Sequence, residues 1–257
     1  MPDRNISNKI KFKKYTDLAK LKNDDAVVLI RALQSILKDA WGEFPQNFIG
    51  DHILKNARTL IMAMLGDEYI GFCALSHKNI LNKNIRYIEF LVIKNKYQNS
   101  RLGSKLLYLI LRKPLIKSFF NIPPSSLEIM FITPNIRVLA GMSKFCSFIY
   151  PNPYSVDANG KIQSADDITF EMARELIRVS DNPKRIINRE GLVLEGSYRN
   201  TPWLIYKDKN IPWHSNDKIN KFAMRYLGYG SGADKEFIVR TKIALSSLIK
   251  YLFKKFD

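Results

Sequence analysis

Between Tyr87 and Leu107 the chain reads Tyr-Ile-Glu-Phe-Leu-Val-Ile-Lys-Asn-Lys-Tyr-Gln-Asn-Ser-Arg-Leu-Gly-Ser-Lys-Leu-Leu. An apolar run of β-branched and aromatic residues gives way to a polar turn, and the turn enters a helical pattern through Gly103. A strand, a turn and a helix N-terminus in that order aim several backbone N–H groups at one point. The helix dipole adds partial positive charge there, so the product is a cradle for an anion such as phosphate. A polar loop that merely caps a helix would leave the same pattern. Within the strand Glu89 alternates with Leu91 and Ile93, so the three share a face. A carboxylate on an apolar strand is costly unless it is paired or used. Burial would raise its pKa and suit it to accept a proton. The competing reading pairs Glu89 with a lysine or arginine such as Arg86.

Elements on either side must position these residues. Lys9 to Tyr15 alternates as a strand. Asp25 to Trp41 follows a helical period through Val28, Ile30, Leu33, Ile36 and Leu37, with Asp24 and Asp25 at its start. A second helix is expected over Gln46 to Asn56. Thr59–Leu65 and Tyr69–Ser76 read as strands joined by a turn at Gly66-Asp67-Glu68. Ile85 to Lys94 is the next strand. The helix after the cradle covers Leu102 to Arg112, with Leu106, Leu107, Ile110 and Leu111 buried and Pro114 stopping it soon after. Ser126 to Thr133 is a strand and Pro134-Asn135 opens a helix to about Phe145. Beyond Pro151-Asn-Pro153 the reading gives a helix at Asp167–Arg178, strands at Gly191–Tyr198 and Thr201–Tyr206, a helix at Ser215–Tyr226 and a last helix at Lys235–Phe256. This order predicts an α/β (α+β) fold, a mixed, mostly antiparallel central sheet flanked by helices. Residues 1–150 form the core. Residues 151–257 are an extension that completes the sheet and covers one face, without folding as an independent domain.

With 257 residues and 46% hydrophobic content the chain can bury a sizeable core. Its 41 basic and 24 acidic residues leave a net charge of +17. That favours anionic partners, though lysines scattered by a compositional bias would give the same figure. Cys73 and Cys146 read as buried thiols of a reducing compartment, not a disulfide. His52, His77 and His214 match no metal-ligand spacing, so no metal is expected. The N-terminus is basic without a signal-type apolar stretch, and no run long enough to span a membrane occurs. A cytoplasmic location is expected.

The turn Gln98-Asn99-Ser100-Arg101-Leu102-Gly103 resembles the signature of the GNAT acyltransferases: Gln or Arg, two residues, Gly, one residue, then Gly or Ala, directly after a strand. The first and last positions match, and Arg101 replaces the middle glycine. The preceding Leu91-Val92-Ile93 and Tyr97 fit, as does Ile129-Met-Phe-Ile-Thr-Pro-Asn135. The likeness covers roughly residues 8 to 150. It implies a GNAT-like fold and an acyltransferase that moves an acetyl or other acyl group from acyl-coenzyme A to an amine, without a metal. Residues 98–104, that is Gln98, Asn99, Ser100, Arg101, Leu102, Gly103 and Ser104, would then hold the diphosphate. Leu91, Val92 and Ile93 would pair their backbone with the pantetheine arm, and Asn135 would be a further cofactor contact. An αR turn at Arg101 would still direct its N–H inward, leaving its side chain for solvent or a phosphate.

Acyl transfer to an amine needs a base, and Glu89 is the candidate. The family's frequent tyrosine acid has no counterpart, because Met142 stands seven residues after Asn135. Ser143, Tyr150 or unaided departure of the thiolate are the alternatives. The acceptor amine is unidentified: a small molecule, a protein or an RNA-linked group. Trp41, Phe44, Phe48, Tyr198, Trp203 and Trp213 would line an apolar pocket or fill the core. The last helix, with Leu245, Leu248, Ile249, Leu252 and Phe256 beside Lys242, Lys250, Lys254 and Lys255, would touch an anionic membrane, meet RNA, or pack on the domain. A protein of this fold that binds CoA or nucleic acid without catalysis is the competing functional reading.

Overall fold

The computed structural model describes residues 9–21, 23–45, 47–120, 126–180, 186–196, 211–229, 231 and 234–244. Its architecture is an α/β fold with a mixed, mostly antiparallel sheet and flanking helices, as expected. The chain divides into two compact units, one from Met1–His77 and Tyr87–Pro114, the other from Lys78–Arg86 and Leu115–Asp257.

In the first unit the strands β1 (Ile10–Thr16), β2 (Thr59–Leu65), β3 (Glu68–Ile80) and β4 (Lys83–Ile93) lie in that order. β1 pairs antiparallel with β2 from Ile10↔Leu65 to Thr16↔Thr59, and β2 with β3, with a bulge between Ala63 and Met64. Helix α1 (Asn23–Trp41) opens with Asp24 and Asp25 in its first turn, where carboxylates complement the dipole. Its buried stripe is Leu29, Ala32, Leu33, Ile36 and Leu37, an i, i+3, i+4, i+7, i+8 series. Val28 is half exposed, so Leu29 takes the core place expected of it. The stripe packs with Leu60, Met62, Phe72, Ala74 and Val92 of the strands and with Ile49 and Ile53. The second helix is shorter than expected: Ile49–Leu54 forms a π-helical turn.

On the opposite sheet face Gly103 of helix α2 (Leu102–Phe119) meets the side chains of Leu91 and Ile93. Leu106, Leu107, Ile110 and Leu111 of α2 are buried as predicted, and Leu102 is buried with them. Pro114 does not end this helix, which runs five residues past it. The ring removes only the bond that the residue 114 N–H would give to the Ile110 carbonyl, and burial of the next residue, Leu115, sustains the following turn.

In the second unit, two residues at positive φ, Leu81 and Asn82, close the hairpin between β3 and β4. β5 (Leu127–Thr133) pairs antiparallel with β9 (Lys235–Ile243). The other edge of β9 carries β6 (Phe148–Tyr150) and β8 (Val193–Glu195), and β8 carries β7 (Ile186–Asn188). Strands from beyond residue 151 therefore pair onto β5. Helices α3 (Ile136–Ser143), α4 (Asp167–Arg178) and α5 (Asp217–Leu227) complete the unit. The helix expected from Lys235 is a strand as far as Ile243. Glu236 through Thr241 are all buried, and a strand covered on both faces shows no alternation to separate it from a buried helix. The remainder of that expected helix, Leu245 to Phe256, lies outside the described residues, as do the expected strand Thr201–Tyr206 and the aromatics Tyr198 and Trp203.

Candidate active site

β4 ends at Ile93, and the N–H of Lys94 still donates to the carbonyl of Ile70 in β3 at 3.0 Å. The chain then makes a 3-10 turn at Asn95–Tyr97 and enters α2 at Leu102. The turn is braced by two carboxylates. Asn95 donates from its backbone N–H to Asp39 Oδ1 and from its side-chain amide to the Asp39 carbonyl, both at 2.6 Å. The Glu68 carboxylate accepts from Lys94 Nζ at 2.9 Å on one oxygen and from the Tyr97 hydroxyl at 3.0 Å on the other. The hydrogen bond from Lys94 holds the Glu68 carboxyl below the usual carboxylate range, with a smaller contribution from the Tyr97 hydroxyl and with burial opposing. Burial together with Glu68 pushes the Tyr97 phenol up.

Gln98, the first position of the signature, turns its side chain inward. Its amide donates to the Ile93 carbonyl at 3.2 Å and to Asn95 Oδ1 at 2.9 Å. The Ser100 hydroxyl donates to the Tyr97 carbonyl. These two side chains fold the turn, and the donors left for a ligand are main-chain ones. The N–H groups of residues 99–104 donate to no acceptor among the described residues. Those of Leu102, Gly103 and Ser104 belong to the first helical turn, which has no intrahelical acceptors. Asn99 and Arg101 both stand at φ 64. The αR turn expected at Arg101 is therefore corrected: Arg101 adopts the left-handed conformation that glycine would take at this place. A Cβ on Gly103 would sit 3.4 Å from Ile93 Cδ1 and 3.7 Å from Leu91 Cδ2, ordinary contact. Packing within the chain thus tolerates a side chain at Gly103. A row of unspent N–H groups at a helix start fits a diphosphate.

Glu89 lies on the β4 face that carries Leu91 and Ile93. It is half-buried, and its Oε1 accepts a 2.6 Å hydrogen bond from the Ser76 hydroxyl of β3. Ser76 itself is 3% exposed. A short bond from a buried hydroxyl fixes the carboxylate in one rotamer beside the strand that runs into the cradle. In the second unit, Arg86 donates to Asn84 Oδ1 at 2.9 Å.

Other expected site residues fall in the second unit. Asn135 is the N-cap of α3, its side-chain oxygen accepting from the N–H groups of Arg137 and Val138. Met142 is buried in α3. Ser143 donates to the Leu139 carbonyl, the i−4 bond of a helical serine. The Tyr150 hydroxyl donates to the Gln163 carbonyl and accepts from the Gly191 N–H, while burial pushes the phenol up to about 12. Trp41, Phe44 and Phe48 form one aromatic cluster with Phe90 and His52 at the end of α1 in the first unit, and Trp213 packs edge-on to Tyr229 in the second. Burial raises the Cys146 thiol to about 12 and the Cys73 thiol further still. Asp39, Glu68 and Ser76 were not legible as site residues in the sequence.

Residues 28–114 match the sequence model of the Acetyltransferase (GNAT) family. They belong to that family. The matched segment holds α1, the strands β2 to β4, the cradle and most of α2, and the fold is GNAT-like. Comparison with curated proteins gives no match. Among solved structures the chain is similar to a GCN5-related glucosamine N-acetyltransferase region of a fungal multi-domain GH3 β-N-acetylglucosaminidase. The identity is 16%, over 47% of this chain and 13% of that one, with a TM-score of 0.35. It is also similar to Naa50 of Arabidopsis thaliana in complex with a bisubstrate analogue, at 17% identity over 57% of this chain and 89% of that one, TM-score 0.36. YhbS of Escherichia coli, a GNAT family N-acetyltransferase in complex with CoA, gives 11% identity over 53% of this chain and 72% of that one, TM-score 0.36. This chain is longer than the parts that align. No helix among the described residues is long and apolar enough to cross a membrane.

Proposed function

We propose that the chain is an acyl-CoA-dependent N-acyltransferase. The observation that carries the reading is the row of N–H groups over residues 99–104 that find no acceptor among the described residues, on a turn held by Asp39 and Glu68. These groups hold the diphosphate of acyl-CoA, and the Arg101 side chain, exposed beside them, is available to a further phosphate. Leu91, Val92 and Ile93 offer backbone groups to the pantetheine arm as an added strand would. Asn135 as a further contact rests on the family likeness.

In the reaction the acceptor nitrogen bonds to the acyl carbon. Glu89, fixed by Ser76, takes the proton of the attacking amine directly or through a water. The carbon–sulfur bond then breaks and the sulfur leaves as thiolate. A thiol of ordinary pKa departs without a protein acid at neutral pH. Tyr150 and Ser143 already donate to carbonyls within the second unit, which leaves them poor candidates for that acid.

Acetyl-CoA should raise the melting temperature of the full chain, and Gly103→Trp should abolish that rise. Absence of a shift with any acyl-CoA would remove the cofactor assignment. Glu89→Gln should lower the turnover of acyl-CoA with an amine panel while the melting shift stays. An unchanged rate would take Glu89 out of the mechanism. A retained shift with no turnover on any amine would favour a CoA-binding protein that does not catalyse.

A further inference from the structure

β1 and the part of α2 in the first unit form a face of one charge sign. The Lys105 ammonium lies 5.0 Å from the centre of the Phe12 ring, so α2 runs along the β1 face that carries Phe12 and Lys14. Lys105, Tyr108 and Arg112 follow at three- and four-residue steps on the exposed side of α2, with Lys113 beside them. Lys105 to Arg112 spans about 10 Å of helix. Neither β1 nor α2 contains an acidic residue. Lys14, Lys105, Arg112 and Lys113 form no ion pair among the described residues, although acidic side chains elsewhere are paired. Crowding is felt at Lys14, whose pKa is lowered first by burial and then by the charges of Lys113 and Arg112.

We propose that this face binds single-stranded RNA, with Lys14, Lys105, Arg112 and Lys113 on its phosphates and Tyr108 beneath a base. Four unpaired cations on one surface are complementary to a polyanion, and the binding gains from release of its counterions. Tyr108 is 38% exposed among them, the only aromatic on the exposed side of α2 in this unit, and supplies a stacking platform. A membrane is the poorer fit, because the apolar side of α2 from Leu102 to Leu111 is buried in the protein and the face named here presents cations and one tyrosine. Duplex DNA read by a recognition helix is also a poorer fit. β1 flanks α2, and the exposed side chains named here are cations and a tyrosine, without the amides and carboxylates that read base edges. The site is separate from the cradle and does not depend on the acyltransferase reading.

The test is fluorescence anisotropy of the full chain with a mixed-sequence single-stranded RNA of about 20 nucleotides, titrated between about 50 and 200 mM salt. The logarithm of the association constant should fall with the logarithm of salt with a slope of about −3, from roughly 0.7 per phosphate contacted. Arg112→Gln with Lys113→Gln should reduce that slope by about 1.4 and leave the acetyl-CoA melting shift intact. Tyr108→Ala should weaken binding about tenfold at an unchanged slope. Absence of RNA binding at the lowest salt, or a double variant that binds as the parent does, would overturn the proposal. So would binding of duplex DNA with equal affinity and no effect of Tyr108→Ala, or binding of phosphatidylserine vesicles in preference to RNA.

Discussion

Asp39 grips Asn95 twice: its carboxylate takes the Asn95 backbone N–H, and its carbonyl takes the Asn95 side-chain amide, each at 2.6 Å. The contact joins the last turns of α1 to the second residue after β4, 56 positions away in sequence. It sets where the chain leaves the strand, and so where the N–H groups of residues 99–104 point. Asp39→Ala removes the charge-assisted bond and leaves the one to the main-chain carbonyl. The site is exposed, so the loss of global stability should be about 0.5–1.5 kcal/mol. Acetyl-CoA affinity should fall by more than that stability loss accounts for, because the cradle then has to be ordered by the ligand. Calorimetric titration beside a urea melt separates the two effects. Equal CoA affinity in the variant would make Asp39 a purely structural residue.

Arg101 stands at φ 64 in the turn, a conformation that costs a residue with a Cβ about 1 kcal/mol relative to glycine. Arg101→Gly should therefore raise the urea midpoint by an amount equivalent to about 0.5–1 kcal/mol, with no change in m-value. The same variant reports on the side chain. If the guanidinium touches a CoA phosphate, affinity for CoA falls while stability rises, two effects of opposite sign in one protein.

How much of this was legible in the sequence depends on how far apart the partners stand. α4 matches its expected span residue for residue, because an apolar stripe at helical spacing and a capping Asp166 are local signals. The strand, turn and helix start around residues 93–102 were legible for the same reason, being contiguous in sequence. The braces of the turn were not, because Glu68 is 29 residues from Tyr97 and Asp39 lies in what reads as an ordinary amphipathic helix. β9 was misread because burial of Glu236 to Thr241 erased the alternation that marks a strand. Ile238, Val239, Thr241 and Ile243, four β-branched residues in six, were the signal that remained. Left-handed Arg101 could not be inferred from residue preference, since the fixed ends of the turn override that preference.

Glu68 predicts a pH dependence. Its folded pKa lies below the ordinary value because Lys94 donates to the carboxylate, with Tyr97 as a second donor. For a carboxyl whose pKa is depressed by folding, the stabilisation is present above the unfolded pKa and is lost as pH falls through the folded one. The melting temperature should therefore drop as pH falls below the unfolded value of about 4.3, from the part that Glu68 contributes. Glu68→Gln should flatten that segment of the curve and leave the profile near neutrality parallel to the parent. Since the Glu68 side chain is 48% exposed, solvent screening keeps the difference small, and it should shrink further in high salt. A variant curve that still falls as steeply as the parent's would assign the acid transition to other carboxylates.

The second unit has its own test in Arg240 of β9. Its guanidinium is 4% exposed, pairs with Glu128 of β5, donates to the Thr169 hydroxyl of α4 at 2.7 Å and lies over the Phe148 ring of β6. One side chain thus ties four elements together across 112 residues of sequence. Removing one partner of such a pair leaves an uncompensated charge among apolar groups. Glu128→Ala should cost about 3 kcal/mol, near the lower end for a buried pair because Glu128 retains 15% exposure. Replacing both, Glu128→Leu with Arg240→Met, removes the orphaned charge, and the double variant should be more stable than Glu128→Ala alone. The comparison is made by urea denaturation with the single variants completing the cycle. If the double variant is less stable than either single one, the pair is favourable in itself. If it recovers, the ion pair fixes which strand and helix meet and adds little to how tightly they are held.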